Sequence, residues 1–292
     1  MSVKYAVRRT VIQVFATAVQ NPFVQNLWTG VVFKGSAKAV CAPGLNCWSC
    51  PAAALACPIG AMQFLATSPQ STASFYAIGF IVLLGSLVGR MVCGFLCAFG
   101  FLQDLLYKIP VPKLKVPPRA DSVLRKMKYV VLVFLVLLLP ALVTDDFGLG
   151  EPWFCAYLCP AGTLEAGIPL LVANSTLRGM ISALFSWKVV VAVTVVVAAV
   201  LISRPFCKYL CPLGAFYGLF NRVSVARLTV NPHMCVGCGC CKEACPMDID
   251  VVRGIETSPE CIRCGACRNA CTMSAIDWTL AGKKPGKADG PA

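Results

Sequence analysis

Residues 207–214 read Cys207-Lys208-Tyr209-Leu210-Cys211-Pro212-Leu213-Gly214, and this unit decides the fold. It follows an apolar stretch at about residues 183–202. Near copies follow three other apolar stretches. Cys155-x3-Cys159-Pro160-Ala161-Gly162 follows residues 129–143, and Cys93-x3-Cys97-Ala98-Phe99-Gly100 follows residues 73–92. After the first stretch, residues 10–33, stands Cys57-Pro58-Ile59-Gly60, preceded by Cys41, Cys47 and Cys50. Gln63, Gln103, Glu165 and Tyr217 each stand six residues beyond one of these motif cysteines. Four apolar stretches closed by one recurring motif read as two repeats of two helices.

Composition agrees with a membrane setting. Of the 292 residues, 58% are hydrophobic and 13% charged, against a usual charged share of about 25%. Mean hydropathy is +0.73. These values exclude a disordered chain and argue against an ordinary soluble enzyme. Nineteen cysteines argue against a plain transporter. The single histidine, His233, excludes a bis-histidine haem within the chain, and the absence of C-x-x-C-H excludes covalent haem. A span needs roughly 20 apolar residues. The second and fourth stretches meet that length, and the first and third meet it with their flanks. Arg8-Arg9 matches an export signal poorly, so the first stretch reads as an uncleaved membrane helix.

The net charge of +13 reports topology. Lys108, Lys113, Lys115, Arg119, Arg125, Lys126 and Lys128 lie between the second and third stretches, and Arg204, Lys208, Arg222 and Arg227 follow the fourth. Asp145, Asp146, Glu151 and Glu165 lie between the third and fourth. Excess basic residues mark the cytoplasmic side. The N-terminus, residues 93–128 and the C-terminal region are therefore expected inside, and residues 34–72 and 144–182 outside. The basic residues flank apolar segments, so nucleic acid is not an expected partner. The expected fold is mainly α: a four-helix transmembrane bundle of two parallel helix-pair repeats over residues 1–222. A two-cluster ferredoxin-like α+β domain over 223–281 and a disordered tail over 282–292 complete it.

That second domain follows from two runs. Cys235-x2-Cys238-x2-Cys241-x3-Cys245-Pro246 is the first, and Cys261-x2-Cys264-x2-Cys267-x3-Cys271 is the second. This is two-cluster ferredoxin spacing, in which the fourth cysteine of each run ligates the other cluster. Cys235, Cys238, Cys241 and Cys271 are assigned to one [4Fe-4S] cluster, and Cys261, Cys264, Cys267 and Cys245 to the other. Two zinc knuckles are the rival reading, but zinc does not require the third and fourth cysteines at this spacing. Gly237, Gly239 and Gly265 let backbone approach sulfur, and Cys240 fits neither set.

The motif cysteines at the apolar ends extend the same chemistry. Positions i and i+4 share a helix face with Cβ atoms roughly 5–6 Å apart, a separation that suits two corners of a cluster. A disulfide needs roughly 3.5–4.5 Å. Topology pairs Cys93, Cys97, Cys207 and Cys211 as an inner-face cluster site. It sets Cys155 and Cys159 on the outer face, completed by Cys57 and next by Cys50; a Cys47-x2-Cys50 clamp stays open. Proline after the second cysteine suits the first turn of a new helix. Arg90 and Arg204 stand three residues before the inner pairs, either offsetting cluster charge or snorkelling to the interface. Buried inert thiols are the plain alternative for all these cysteines.

The chain resembles the membrane-bound [4Fe-4S] polyferredoxins of the NapH/NosR/MauN type. The resemblance rests on Cys155/Cys159/Pro160 and Cys207/Cys211/Pro212 followed by the two ferredoxin runs, and covers about residues 75–275. It implies an electron-transfer subunit of an oxidoreductase complex, working between a quinone pool or reductant and a redox partner subunit. Cys93/Cys97 without its proline, and the Cys41–Cys57 group, depart from that signature. The expectation is thus a multi-pass protein of a bacterial or archaeal cell membrane, both termini cytoplasmic. It would carry two ferredoxin clusters and one or two further iron–sulfur clusters in the membrane domain, passing electrons across the bilayer. A thiol–disulfide relay, or a metal-reducing relay serving maturation of a partner enzyme, is the alternative. No catalytic acid–base group is evident; Glu165, Asp104, Asp145 and Asp146 are candidates for proton coupling, with Glu165 otherwise read as an ordinary charged loop residue.

Overall fold

The computed structural model describes residues 3–67, 72–144, 150–179 and 181–280. Asp145, Asp146 and the 282–292 tail lie outside the described residues. The fold is mainly helical. The first helix, Val3–Gln20, starts earlier than its apolar stretch and stops far short of Phe33. Pro22 explains the stop, since it lacks an N–H and disfavours helical backbone in the residue before it. Pro58–Thr67 packs beside Thr72–Val88. The third long helix runs from Pro118 to Leu142 through a widened π segment, Val131–Leu138. Pro140 cannot donate back to Val136, and the ladder slips there. The fourth is Ala183–Leu201, capped by the Ser182 hydroxyl, which accepts from the Phe185 N–H at 3.4 Å.

Among the described residues, Ala183–Leu201 is the one helix long and apolar enough by itself to cross a membrane, with mean hydropathy 2.4. Of the expected four-helix transmembrane bundle, the structure shows a mainly helical domain in which one helix meets the length and apolarity of a span. All four long helices nevertheless turn large apolar side chains outward: Phe15, Leu83, Phe134 and Val190 are each more than half exposed. Ile81 and Val136 of these helices, and Phe154, Phe206 and Tyr217 of the shorter ones, are almost completely buried.

The C-terminal domain carries one antiparallel strand pair, Ala226–Val230 against Ile276–Leu280, in register Ala226↔Leu280 to Val230↔Ile276. Short helices Cys240–Glu243 and Ala266–Ala270 flank it. Leu228, Ile249, Val251 and Ile276 fill its core. It is docked by buried charge. Arg90 and Lys128 both pair with Glu260, Arg90 at 3.2 Å, and Arg125 approaches it at 3.8 Å. Burial alone would raise the Glu260 carboxyl; Arg90, Lys128 and Arg125 hold it below its ordinary range. Arg263 reaches back to Ser224 at 2.6 Å and to the Asn221 carbonyl at 2.7 Å.

Candidate iron–sulfur centres

The two ferredoxin runs close on two separate cavities. One, of about 180 Å³, has Cys235, Cys238, Cys241 and Cys271 in its wall. The other is lined by Cys245, Cys261, Cys264 and Cys267. Each wall thus holds three cysteines of one run and the last of the other. Gly239 (φ +79°) and Gly265 (φ +74°) turn the chain into the two short helices, a conformation that costs glycine little. Cys240 is exposed and lines neither cavity.

In the helical domain the motif builds a corner. The first cysteine of a pair ends up in a five-residue helix, Met91–Phe95 or Pro205–Tyr209. The second leaves that helix and becomes the N-cap of the next. Cys97 accepts from the Gly100 N–H and Cys211 from the Gly214 N–H, both at 3.3 Å. So the pair does not share one helix face, as the i,i+4 spacing suggests. The chain reverses at the second sulfur, whose thiolate gains from the N–H groups and dipole of a helix start. Cys159 and Cys57 face the N–H groups of Gly162 and Gly60 in the same way.

The corners meet in two groups. Cys93, Cys97, Cys207 and Cys211 lie within one electrostatic neighbourhood. Cys47, Cys57, Cys155 and Cys159 form the second. The expected partner Cys50 stands one step out, because its sulfur turns toward the N–H groups of Ala52 and Ala53 in its own loop. Cys47 takes the place beside Gly162 instead: a Cβ on that glycine would lie 3.8 Å from the Cys47 sulfur. Glu165 accepts the Cys47 N–H at 2.9 Å and is no ordinary loop charge.

The groups are also not set apart on opposite faces. The Leu45 N–H faces the Cys97 sulfur and the next N–H, of Asn46, faces Cys57. Successive Cα atoms are about 3.8 Å apart, so the two groups are close neighbours joined by segment 41–47. Gly44 makes this approach possible: a Cβ there would stand 2.6 Å from the Cys97 Cα. Gly44→Ala is therefore expected to lower stability by roughly 1–3 kcal/mol, the usual range for overpacking, as read by thermal unfolding. An unchanged midpoint would remove the contact from consideration.

Arginines cross between the halves. Arg90 precedes the first inner pair and donates to the Cys207 carbonyl at 3.1 Å; Arg204 precedes the second and donates to the Cys93 carbonyl at 2.7 Å. Both are fully buried, which rules out snorkelling. The motif glycines make room, since a Cβ on Gly214 would meet the Arg90 guanidinium at 3.0 Å. Arg204 itself sits at φ +50°, held by Asp104 through two 2.6 Å bonds. Arg9 and Gln13 share the same carboxylate at 2.6 and 3.0 Å. Burial would raise Asp104, but Arg204, Arg9 and Gln13 bring it down to about 2. It stays ionised at neutral pH.

The donor set fits [4Fe-4S] clusters. Each group offers four sulfurs and backbone N–H groups aimed at them, and at the first group the buried Arg90 and Arg204 offset charge. Asn46 supplies an independent sign: it is 1% exposed, yet neither its side-chain oxygen nor its nitrogen has a partner. Native proteins rarely leave such an amide unpaired, and a cluster sulfide beside Cys57 would accept from its Nδ2 N–H. Among the described residues no three His, Cys, Asp or Glu side chains converge tightly enough for a single metal ion. Cysteines that each take a different corner of a cubane stand further apart than that.

Comparison with known proteins points to the same kind of cofactor. Residues 72–117, 129–170 and 183–231 match the family described as "4Fe-4S binding domain". Each range contains one long apolar helix and one C-x3-C pair; the two ferredoxin runs lie outside all three. The chain is similar to the uncharacterized protein MJ0749 of Methanocaldococcus jannaschii, 31% identical over 60% of this chain and 58% of that one. It is similar to the putative electron transport protein YccM of Escherichia coli, 28% identical over 65% and 50% of the two chains. The methylamine utilization ferredoxin-type protein MauN of Paracoccus denitrificans is 29% identical over 57% and 50%. The chain thus spans between half and two thirds of the length of such relatives. No solved structure matches it.

Proposed function

Since the chain belongs to a 4Fe-4S polyferredoxin-like family, we propose that it is a membrane-integral electron carrier with four cluster sites in a row. Bound [4Fe-4S] clusters supply one-electron redox chemistry, and the protein supplies their spacing and electrostatics. Cys235, Cys238, Cys241 and Cys271 hold the first; Cys245, Cys261, Cys264 and Cys267 the second. Cys93, Cys97, Cys207 and Cys211 hold the third, and Cys47, Cys57, Cys155 and Cys159 the fourth. Residues 1–222 form the membrane domain and 223–281 the ferredoxin-like domain. The exposed apolar faces of the four long helices support lipid contact, because soluble monomers rarely show such continuous apolar surface. The basic flanks support cytoplasmic termini.

One observation carries the row: ligand sets touch in sequence. Gly94, inside the Cys93–Cys97 corner, lies where a Cβ would stand 2.6 Å from the Ile262 carbonyl and 3.6 Å from the Cys264 Cα. Segment 41–47 then joins the third and fourth sets. A cavity of about 670 Å³ opens beside the second set, with Cys245, Arg9, Phe101, Tyr107 and Lys113 in its wall. Its size and mixed lining suit the headgroup of a quinol.

The test is rapid mixing of the anaerobic, detergent-purified full chain with duroquinol, read by freeze-quench EPR. Reduction of the ferredoxin signals followed by the others is expected. Gly94→Ala pushes the second and third sets apart. It is expected to slow that second phase while iron content stays at the wild-type value. A second phase as fast as wild type would disconnect these sets.

A further inference from the structure

Gln63 and Gln103 occupy equal places, each six residues beyond a capping cysteine, and each is 1% exposed. The Gln103 Nε2 donates to the Cys207 sulfur at 3.1 Å, and its Oε1 accepts the Phe206 N–H at 3.2 Å. The Gln63 Nε2 donates to the Cys155 sulfur at 3.1 Å, and its Oε1 accepts the Phe154 N–H at 3.0 Å. Both also bond the carbonyl four residues back in their own helix at 3.4 Å. The same three contacts therefore occur twice, around two different cysteine groups, each time on the first cysteine of the opposite repeat's pair.

The corresponding residues of the second repeat do something else. Glu165 accepts the Cys47 N–H and has no N–H of its own to give. Tyr217 donates to the Pro43 carbonyl at 3.0 Å. Each group thus receives one side-chain amide N–H on sulfur, from the first repeat. The same donor contact on sulfur, at equivalent positions around two different groups, is a repeated feature of the fold.

The geometry points to Gln63 and Gln103 as the residues that set the reduction potentials of the two membrane-domain centres, each acting on its own centre. The inference rests on the function proposed above. A donor on a ligand sulfur stabilises the more negative, reduced state and so raises the potential. These are positioning residues: they touch a ligand and leave its identity alone.

EPR-monitored redox titration of the full chain in detergent tests this, with iron quantified on every sample. Gln103→Met keeps the length and apolar stem and removes the donor. It is expected to lower the midpoint of the centre that Cys207→Ala abolishes, and to leave the other midpoints and the iron content at wild-type values. Gln63→Met is expected to lower only the centre that Cys155→Ala abolishes. Should Gln103→Met fold poorly, Gln103→Glu keeps an acceptor for the Phe206 N–H, and its midpoint is expected to fall as well. Unchanged midpoints in iron-replete variants overturn the inference. Wild-type protein with iron for the ferredoxin clusters alone would instead overturn the proposed function, so the two failures are distinguishable.

Discussion

Replacing Cys207 with alanine is expected to remove about four iron atoms per chain, one cubane's worth, and to leave both ferredoxin EPR signals in place. Cys207 is buried in the same neighbourhood as Cys93, Cys97 and Cys211. It also receives the Gln103 amide, and its carbonyl receives Arg90. Losing the sulfur leaves three ligands and takes from the buried Gln103 amide its sulfur acceptor, while the backbone carbonyl that receives Arg90 remains. Nothing in the ferredoxin domain depends on that sulfur: its eight cysteines close on their own two cavities. The loss should therefore be confined to one centre. Loss of all EPR signals together would mean that the sites do not load independently. An unchanged iron count would mean that the helix-corner cysteines hold no cluster.

Asp104→Asn is expected to give the largest loss of stability among single changes away from the cysteines, roughly 3–5 kcal/mol. That is the usual range for removing one partner of a buried ion pair. Arg204 is fully buried and gives Asp104 two bonds; Arg9 gives it a third. Asparagine keeps the shape and removes the charge, which strands Arg204 in the interior. The pH dependence has a definite sign. A carboxylate whose folded pKa is about 2, against an unfolded value of about 3.9, adds stability above the unfolded value. That stability is lost as pH falls through the folded one. Denaturant unfolding at neutral pH should show the deficit in the variant, and the deficit should shrink as pH drops from about 4 toward 2. A variant with wild-type stability at neutral pH would contradict a buried role for this network.

The chemistry was readable in the sequence where it is local. The two ferredoxin runs define their ligand sets by spacing, because a cubane corner and a tight turn fix C-x2-C-x2-C together. The repeated cysteine motif likewise marks each corner, and proline or alanine followed by glycine marks the start of the next helix. What was not readable depends on residues far apart in the chain. By repeat position Cys50 is the expected partner of Cys57; only the approach of Gly162, more than a hundred residues on, favours Cys47. Gln63 and Gln103 stood out by position, but nothing local says that they reach Cys155 and Cys207. Charge counting set the two cysteine groups on opposite faces, since it cannot see segment 41–47 folding back to press Gly44 against Cys97. The first helix shows the opposite failure: Pro22 was visible, and its helix-ending effect outweighed the apolar run that continues to Phe33.

Iron and acid-labile sulfide quantified on the anaerobically purified full chain is the most direct measurement. Four cubanes require about 16 iron and about 16 sulfide per chain. A value near 8, unchanged by Cys207→Ala, would restrict the clusters to the C-terminal domain and contradict cluster binding at the helix corners.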